Sequence, residues 1–226
     1  MIKAILWDID GTLLDFASAE KAAIQSCFDR FGLGTCTDEM LARYSAINRT
    51  YWQRLERKEL TKPEILVGRF QTFFAQEGLQ ADCVAFNEEY QLQLGETVCF
   101  RDNGLELVKA LKGRVLQYAV TNGTKVAQDR KLEKSGLRDL LDGVFISEEV
   151  GFEKPDIRFF HRVWEKIGTY APEEVLIVGD SLTSDMQGGN NAGILCCWYN
   201  PKGQPAPENL RLDFIIDDLQ KLPELL

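Results

Sequence analysis

The chain changes its hydrophobic period early on, and that change limits the folds open to it. Residues 3–8 (Lys-Ala-Ile-Leu-Trp-Asp) form a short apolar run closed by a carboxylate, the pattern of a buried strand. From about 17 to 95 no such run recurs. Apolar residues follow helical spacing instead, as in Ile24, Cys27, Phe28 and Phe31, then Tyr44, Ile47, Tyr51 and Leu55. The same spacing continues through Ile65, Phe70, Phe73 and Phe74, and through Phe86, Tyr90 and Leu94. Gly32, the stretch 61–63 and Gly78 punctuate the block into about four helices. From 102 onward short strands and helices alternate. Strands are predicted at 115–120, 144–146, 175–178, 194–198 and 214–216, and helices near 103–112, 124–135, 156–167 and 184–192. Such alternation predicts a parallel sheet covered on both faces. The expected fold is therefore α/β: a Rossmann-like parallel-sheet core (1–16 and 96–226) with an inserted α-helical cap domain (17–95).

A chain of 226 residues, 45% hydrophobic, is long enough to bury a core without disulfides. Its formal charge of -9 argues against a nucleic-acid partner, which demands positive surface. A small phosphorylated substrate stays open, because a bound metal can supply positive charge locally. The single histidine, His161, is expected on a helix face, which removes multi-histidine metal sites. The six cysteines show no C-x-x-C pair and are expected as reduced, mostly buried thiols. Apolar runs are too short to span a bilayer, and Asp8 arrives too early for a signal peptide. A cytoplasmic protein with no membrane partner is expected. The choice between monomer and homodimer stays open.

In an open parallel sheet, ligands bind beyond the carboxyl ends of the strands. Asp8, Asp10, Gly11 and Thr12 follow the first strand, and Thr121-Asn122-Gly123 follows the second. Lys154 comes shortly after the third, and Gly179-Asp180 after the fourth, with Asp185 five residues on. Asp8 and Asp10, two apart at a strand end, are expected to project toward one region, with Asp180 arriving from another strand. Such an acidic pocket calls for a hard cation, and Mg²⁺ is the natural occupant. Lys154 offers a fixed positive charge. Thr121, Asn122 and the helix start after Gly123 offer donors to an anion.

These residues, in this order, resemble the four signature motifs of the haloacid dehalogenase superfamily of phosphohydrolases, across essentially the whole chain. The resemblance implies that Asp8 is a nucleophile forming an aspartyl-phosphate and that Asp10 is the general acid and base. It implies that Thr121, Asn122 and Lys154 bind substrate. Asp8, the backbone carbonyl of Asp10, and Asp180 resemble the Mg²⁺ ligands. Asp185 resembles an acidic residue that touches the metal shell or orients Lys154. Dehalogenases of this fold lack the second aspartate of the first motif, so Asp10 argues for phosphoryl transfer. A phosphomutase stays open, as does a non-catalytic sensing or interaction protein, though a retired enzyme is expected to have lost one of Asp8, Asp10, Lys154 or Asp180.

The cap stretch 46–52, with Glu59-Leu60-Thr61 and Gly68-Arg69-Phe70, resembles that of bacterial pyrimidine nucleotidases in this superfamily. So does the stretch 146–151 before Lys154. The resemblance implies a pyrimidine nucleoside 5′-monophosphate as substrate, with Asn48, Trp52 and Arg69 as the cap region to test. The alternative substrate is a small phosphorylated acid such as phosphoglycolate.

Overall fold

The computed structural model describes residues 1–168 and 170–226. Among these, six strands form one parallel sheet: β1 (Ala4–Trp7), β2 (Leu116–Thr121), β3 (Gly143–Ile146), β4 (Val175–Gly179), β5 (Leu195–Tyr199) and β6 (Phe214–Ile216). Their spatial order is β3-β2-β1-β4-β5-β6. Four helices follow β1: α1 (Phe16–Phe31), α2 (Asp38–Glu56), α3 (Lys62–Glu77) and α4 (Cys83–Leu94). The later helices are α5 (Gly104–Leu111), α6 (Lys125–Ser135), α7 (Leu137–Leu140), α8 (Ser147–Val150), α9 (Ile157–Ile167) and α10 (Gln187–Ala192). The Rossmann-like parallel sheet expected from the alternating pattern is what forms.

Strand alternation sorts the core into two layers. Ile5, Trp7, Leu176, Val178 and Cys197 pack on one face with Leu107, Val108 and Leu111 of α5 and Leu132 of α6. Ala4, Leu6, Ile177, Cys196 and Trp198 pack on the other with Phe159, Phe160 and Val163 of α9. The adjacent Cys196 and Cys197 thus point to opposite faces, as strand geometry requires. Trp7 stands opposite both Ala119 of β2 and Val178 of β4. This register brings the ends of β1, β2 and β4 to one level. The strand order reverses between β1 and β4, where open α/β sheets leave a crevice.

One helix departs from expectation. The predicted helix at 184–192 is split: residues 182–186 form a wider π turn, and α10 begins only at Gln187. Local side-chain bonds drive the difference. Ser181 Oγ accepts from Ser184 N at 3.1 Å, and Asp185 accepts from Ser181 N at 3.1 Å. Such bonds compete with the regular helical ladder.

The chain divides into two compact units, 1–16 with 98–226, and 17–97. The second is an all-helical unit with an aromatic core. The Tyr44 ring stacks on Phe70 with centroids 5.2 Å apart, and Phe86 meets Phe70 edge-on at 4.9 Å. Three of its helices, α2, α3 and α4, start on polar caps. Thr37 Oγ1 accepts from Met40 N, Glu64 reaches back to Thr61 N, and Asp82 accepts from Val84 N and Ala85 N. Gly78 ends α3 at φ 67°, the left-handed conformation that favours glycine. Among the described residues, no helix is long and apolar enough to cross a membrane.

Candidate active site

The turn after β1 is tied to the end of β4 by its own side chains. Thr12 Oγ1 donates to Asp8 Oδ2 at 3.1 Å and accepts from Asp180 N at 3.1 Å. Gly11 sits at φ 100°, and a Cβ there would stand 2.6 Å from Asp180 Oδ2. Only glycine allows that approach. Asp8 and Asp180 thereby meet at the point where the strand order reverses.

Lys154 is buried at the centre of the group, 1% exposed. Its Nζ donates to Asp8 Oδ1 at 2.9 Å, to Asp185 Oδ1 at 2.7 Å and to the Val120 carbonyl at 2.6 Å. All three ammonium hydrogens are engaged. Burial works against the charge on Lys154, but the Asp185 and Asp8 carboxylates outweigh it and hold the ammonium above its ordinary range. Asp8 is pushed up to about 7 by burial and by the negative charge of Asp185, with Lys154 opposing. Burial raises Asp185 too, again against the pull of Lys154. Asp180 is pushed upward by its crowded surroundings and by Asp8. Its own side chain reaches solvent, which screens part of that effect.

The carboxylates of Asp8, Asp180 and Asp185 offer oxygen atoms that all lie within 4.8 Å of one another. One ammonium cannot neutralise three carboxylates. The donor set is all oxygen and acidic, which fits a hard divalent cation such as Mg²⁺. The side-chain cluster expected from the sequence was Asp8, Asp10 and Asp180, and the structure puts Asp185 in the place of the Asp10 carboxylate. Asp185 gets there because the π turn aims it back toward Gly179, where a Cβ would come 2.3 Å from its Oδ2. It also holds Lys154 directly.

The Asp10 carboxylate is engaged elsewhere. Gln128 Nε2 donates to its Oδ2 at 2.6 Å and Lys131 Nζ to its Oδ1 at 2.5 Å, both from α6. Thr121 is buried at the end of β2, where its Oγ1 accepts from Gly123 N at 3.0 Å. Asn122 does not present its side chain to a ligand as the motif implied. Its Oδ1 accepts from Lys154 N at 2.9 Å, and its Nδ2 donates to the Lys154 carbonyl at 2.8 Å and to Ser184 Oγ at 3.2 Å. The amide is spent bracing the lysine backbone.

In the helical unit, Asn48 and Arg69 are likewise committed inward. Arg69 Nη1 donates to Asn48 Oδ1 at 2.8 Å and Nη2 to Asn87 Oδ1 at 3.0 Å, while Asn48 Nδ2 donates to Glu20 Oε1 at 2.9 Å. Arg69 is 1% exposed. These two residues form a buried polar network within their own unit. Trp52 stays partly exposed, with Lys62 Nζ 6.0 Å from its ring centroid.

Sequence reasoning missed Gln128 and Lys131. A signal existed. Gln128, Lys131, Leu132 and Ser135 fall at i, i+3, i+4 and i+7, the stripe a helix buries, and three of these four positions are polar. Ser184 gave no comparable signal, since its contact with Asn122 spans 62 residues.

A family model described as haloacid dehalogenase-like hydrolase matches residues 2–193. The chain is 34% identical over 227 residues to the pyrimidine 5′-nucleotidase PynA of Streptococcus pneumoniae, covering 97% of this chain and 95% of that protein. It is 32% identical over 222 residues to the pyrimidine 5′-nucleotidase YjjG of Escherichia coli, covering 98% and 96%. Among solved structures, the magnesium-bound HAD-hydrolase YfnB of Bacillus subtilis superposes with a TM-score of 0.94 at 33% identity, covering 100% of this chain and 98% of that one.

Proposed function

The chain belongs to the haloacid dehalogenase-like hydrolase family and is an enzyme of that family; from this premise we propose that it is a Mg²⁺-dependent phosphomonoester hydrolase that passes through an aspartyl-phosphate on Asp8. The observation that carries this reading is the buried Lys154 bridging Asp8 and Asp185, with the Asp180 carboxylate in the same cluster. A carboxylate nucleophile, a fixed ammonium and a hard-cation site are what phosphoryl transfer needs.

The residues divide the work as follows. Asp8 attacks phosphorus and the bond to the leaving oxygen breaks. Asp10 gives its proton to that oxygen, so a neutral alcohol departs. Water then attacks the phosphorus of the acyl phosphate while Asp10 takes the water proton, releasing inorganic phosphate and restoring the Asp8 carboxylate. Lys154 stabilises negative charge on the phosphoryl oxygens, and Thr121 contributes a hydroxyl to them. Asn122 holds the Lys154 backbone in place. Asp8 and Asp180 hold the cation, together with the Asp10 carbonyl that the family motif implies, and Asp185 stands beside them. Mg²⁺ bound there supplies charge neutralisation for the transferring group.

The proposed substrate is a pyrimidine nucleoside 5′-monophosphate. Support comes from two nucleotidase relatives that match nearly the whole chain, the helical unit included. The test is a phosphatase panel of UMP, dUMP, dTMP, AMP, GMP, phosphoglycolate and a hexose phosphate, with Mg²⁺ and with a chelator. Turnover is expected only with Mg²⁺ and fastest with the pyrimidine nucleotides. Full activity under chelation overturns the metal assignment. A far higher kcat/KM for phosphoglycolate or hexose phosphate overturns the nucleotidase reading and leaves the phosphatase reading standing.

A further inference from the structure

Helix α6 spends two buried polar side chains on a single carboxylate, that of Asp10. Lys131 Nζ takes Oδ1 at 2.5 Å and Gln128 Nε2 takes Oδ2 at 2.6 Å. The donors stand three residues apart and so share one helix face. That face is the buried one: the Lys131 side chain is 1% exposed and Gln128 is fully buried. The Phe16 ring lies 5.3 Å from Lys131 Nζ and helps to enclose it. Burying an ammonium and an amide costs stability unless each is fully paired. The pairing here is incomplete, because Gln128 Oε1 has no hydrogen-bond partner. What the polar pair adds is a fixed direction for a carboxylate that is 20% exposed and would otherwise sample several rotamers.

We propose that Lys131 and Gln128 are positioning residues for acid–base catalysis: they grip both oxygens of Asp10 so that its carboxyl group meets the leaving oxygen in one orientation. The inference rests on the reading of Asp10 as general acid and base. It assigns a catalytic consequence to two residues of α6 that lie outside the acidic cluster. Two of the four lone-pair sites of the carboxylate are used by the grip, and two stay free for proton exchange.

The test compares phenyl phosphate, whose leaving group needs a proton, with p-nitrophenyl phosphate, whose leaving group needs little help. Lys131→Met and Gln128→Leu are expected to lower kcat/KM, which reports formation of the aspartyl-phosphate and departure of the leaving group, by about ten- to a hundred-fold for phenyl phosphate, the cost of a misplaced catalytic group. The loss in kcat/KM with p-nitrophenyl phosphate is smaller. In an Asp10→Asn background neither substitution lowers kcat/KM further, since the group they position is gone. Equal losses with the two esters, or a further loss in the Asp10→Asn background, overturn the proposal. If Lys131→Met fails to fold, Gln128→Leu, which buries no unpaired charge, carries the same comparison. Asp10→Asn alone separates the two levels. If it shows no dependence on the leaving group, the acid–base reading falls and takes the inference with it. If it shows that dependence and the α6 variants do not, only the inference falls.

Discussion

Lys154 shows how much one residue can decide. The side chain is buried and its ammonium ends between two carboxylates and a carbonyl. Lys154→Met keeps the stem and removes the charge, so it isolates the electrostatic contribution. Loss of one preorganised charge contact is expected to lower kcat by about 10²–10³-fold. Lys154→Arg is expected to recover little of this. A planar fork cannot aim three hydrogens at Asp8, Asp185 and the Val120 carbonyl from one nitrogen. Steady-state kinetics on p-nitrophenyl phosphate checks both, and wild-type kcat in Lys154→Met would place the lysine outside the chemistry. The place of Asp8 and Asp180 was legible in the sequence because each follows a strand end, and that of Lys154 through its order among the motifs, since the short helix α8 separates it from β3. The bracing of Lys154 by Asn122 was not, since both partners read as ligand-binding groups until the backbone hydrogen bonds are seen.

At the scale of elements, the helical unit is built around an ion held in an aromatic core. The Arg69 guanidinium lies 4.9 Å from the Phe70 centroid and 5.1 Å from that of Tyr90, and meets Glu20 through the neutral Asn48. Burial raises the Glu20 carboxyl above its ordinary range, against the pull of Ser45, Asn48 and Arg69. Arg69→Met removes the buried cation and leaves Glu20 with its amide and hydroxyl hydrogen bonds and the weaker pull of Arg49. Breaking a buried charge network of this kind is expected to cost about 3–5 kcal/mol. Phe70→Ala, which empties the centre of the aromatic cluster, is expected to cost a similar amount, about 3–5 kcal/mol. Hydrogen exchange of amides in α2, α3 and α4 reads both effects within the unit itself. Unchanged exchange in Arg69→Met would mean that the network is not structural. Periodicity located these four helices from sequence. It could not show that Asn48 and Arg69 face inward, because polar residues at helical spacing read as surface unless their partners are known.

For the whole molecule, the acidic cluster links metal, protons and stability. Asp8 is raised to about 7 from an ordinary 3.8 in the metal-free protein, by burial first and by Asp185 next. A carboxyl group with a raised folded value binds its proton more tightly in the native state. Its ionisation therefore costs native stability as pH climbs from about 4 to about 7, and the full cost is present above that window. Asp180 and Asp185 shift in the same direction. Cation binding requires the ionised forms, so Mg²⁺ competes with protons. The Tm of the metal-free protein is expected to fall relative to that of the Mg²⁺-loaded protein as pH rises from about 5 to about 8. Paired thermal melts with chelator and with Mg²⁺ across that range check it. A Mg²⁺-induced Tm shift that stays constant or shrinks with rising pH would contradict the cluster as the cation site.

The sequence by itself determined the parallel sheet, the helical insertion after the first strand, and most of the residues that meet at the strand ends. Those features are written in local periodicity and in residue order along the chain, which need no knowledge of distant neighbours. Tertiary structure alone decided how the carboxylates divide their tasks. Asp8 and Asp10 lie two residues apart, yet Asp8 pairs with Lys154, 146 residues away, and Asp10 with Lys131, 121 residues away. Asp185 joins the cluster because a π turn aims it at Gly179, and a glycine there leaves room for it. A charged group settles where the fold supplies its counter-charge and removes competing water, and both conditions are set by strand order and helix packing.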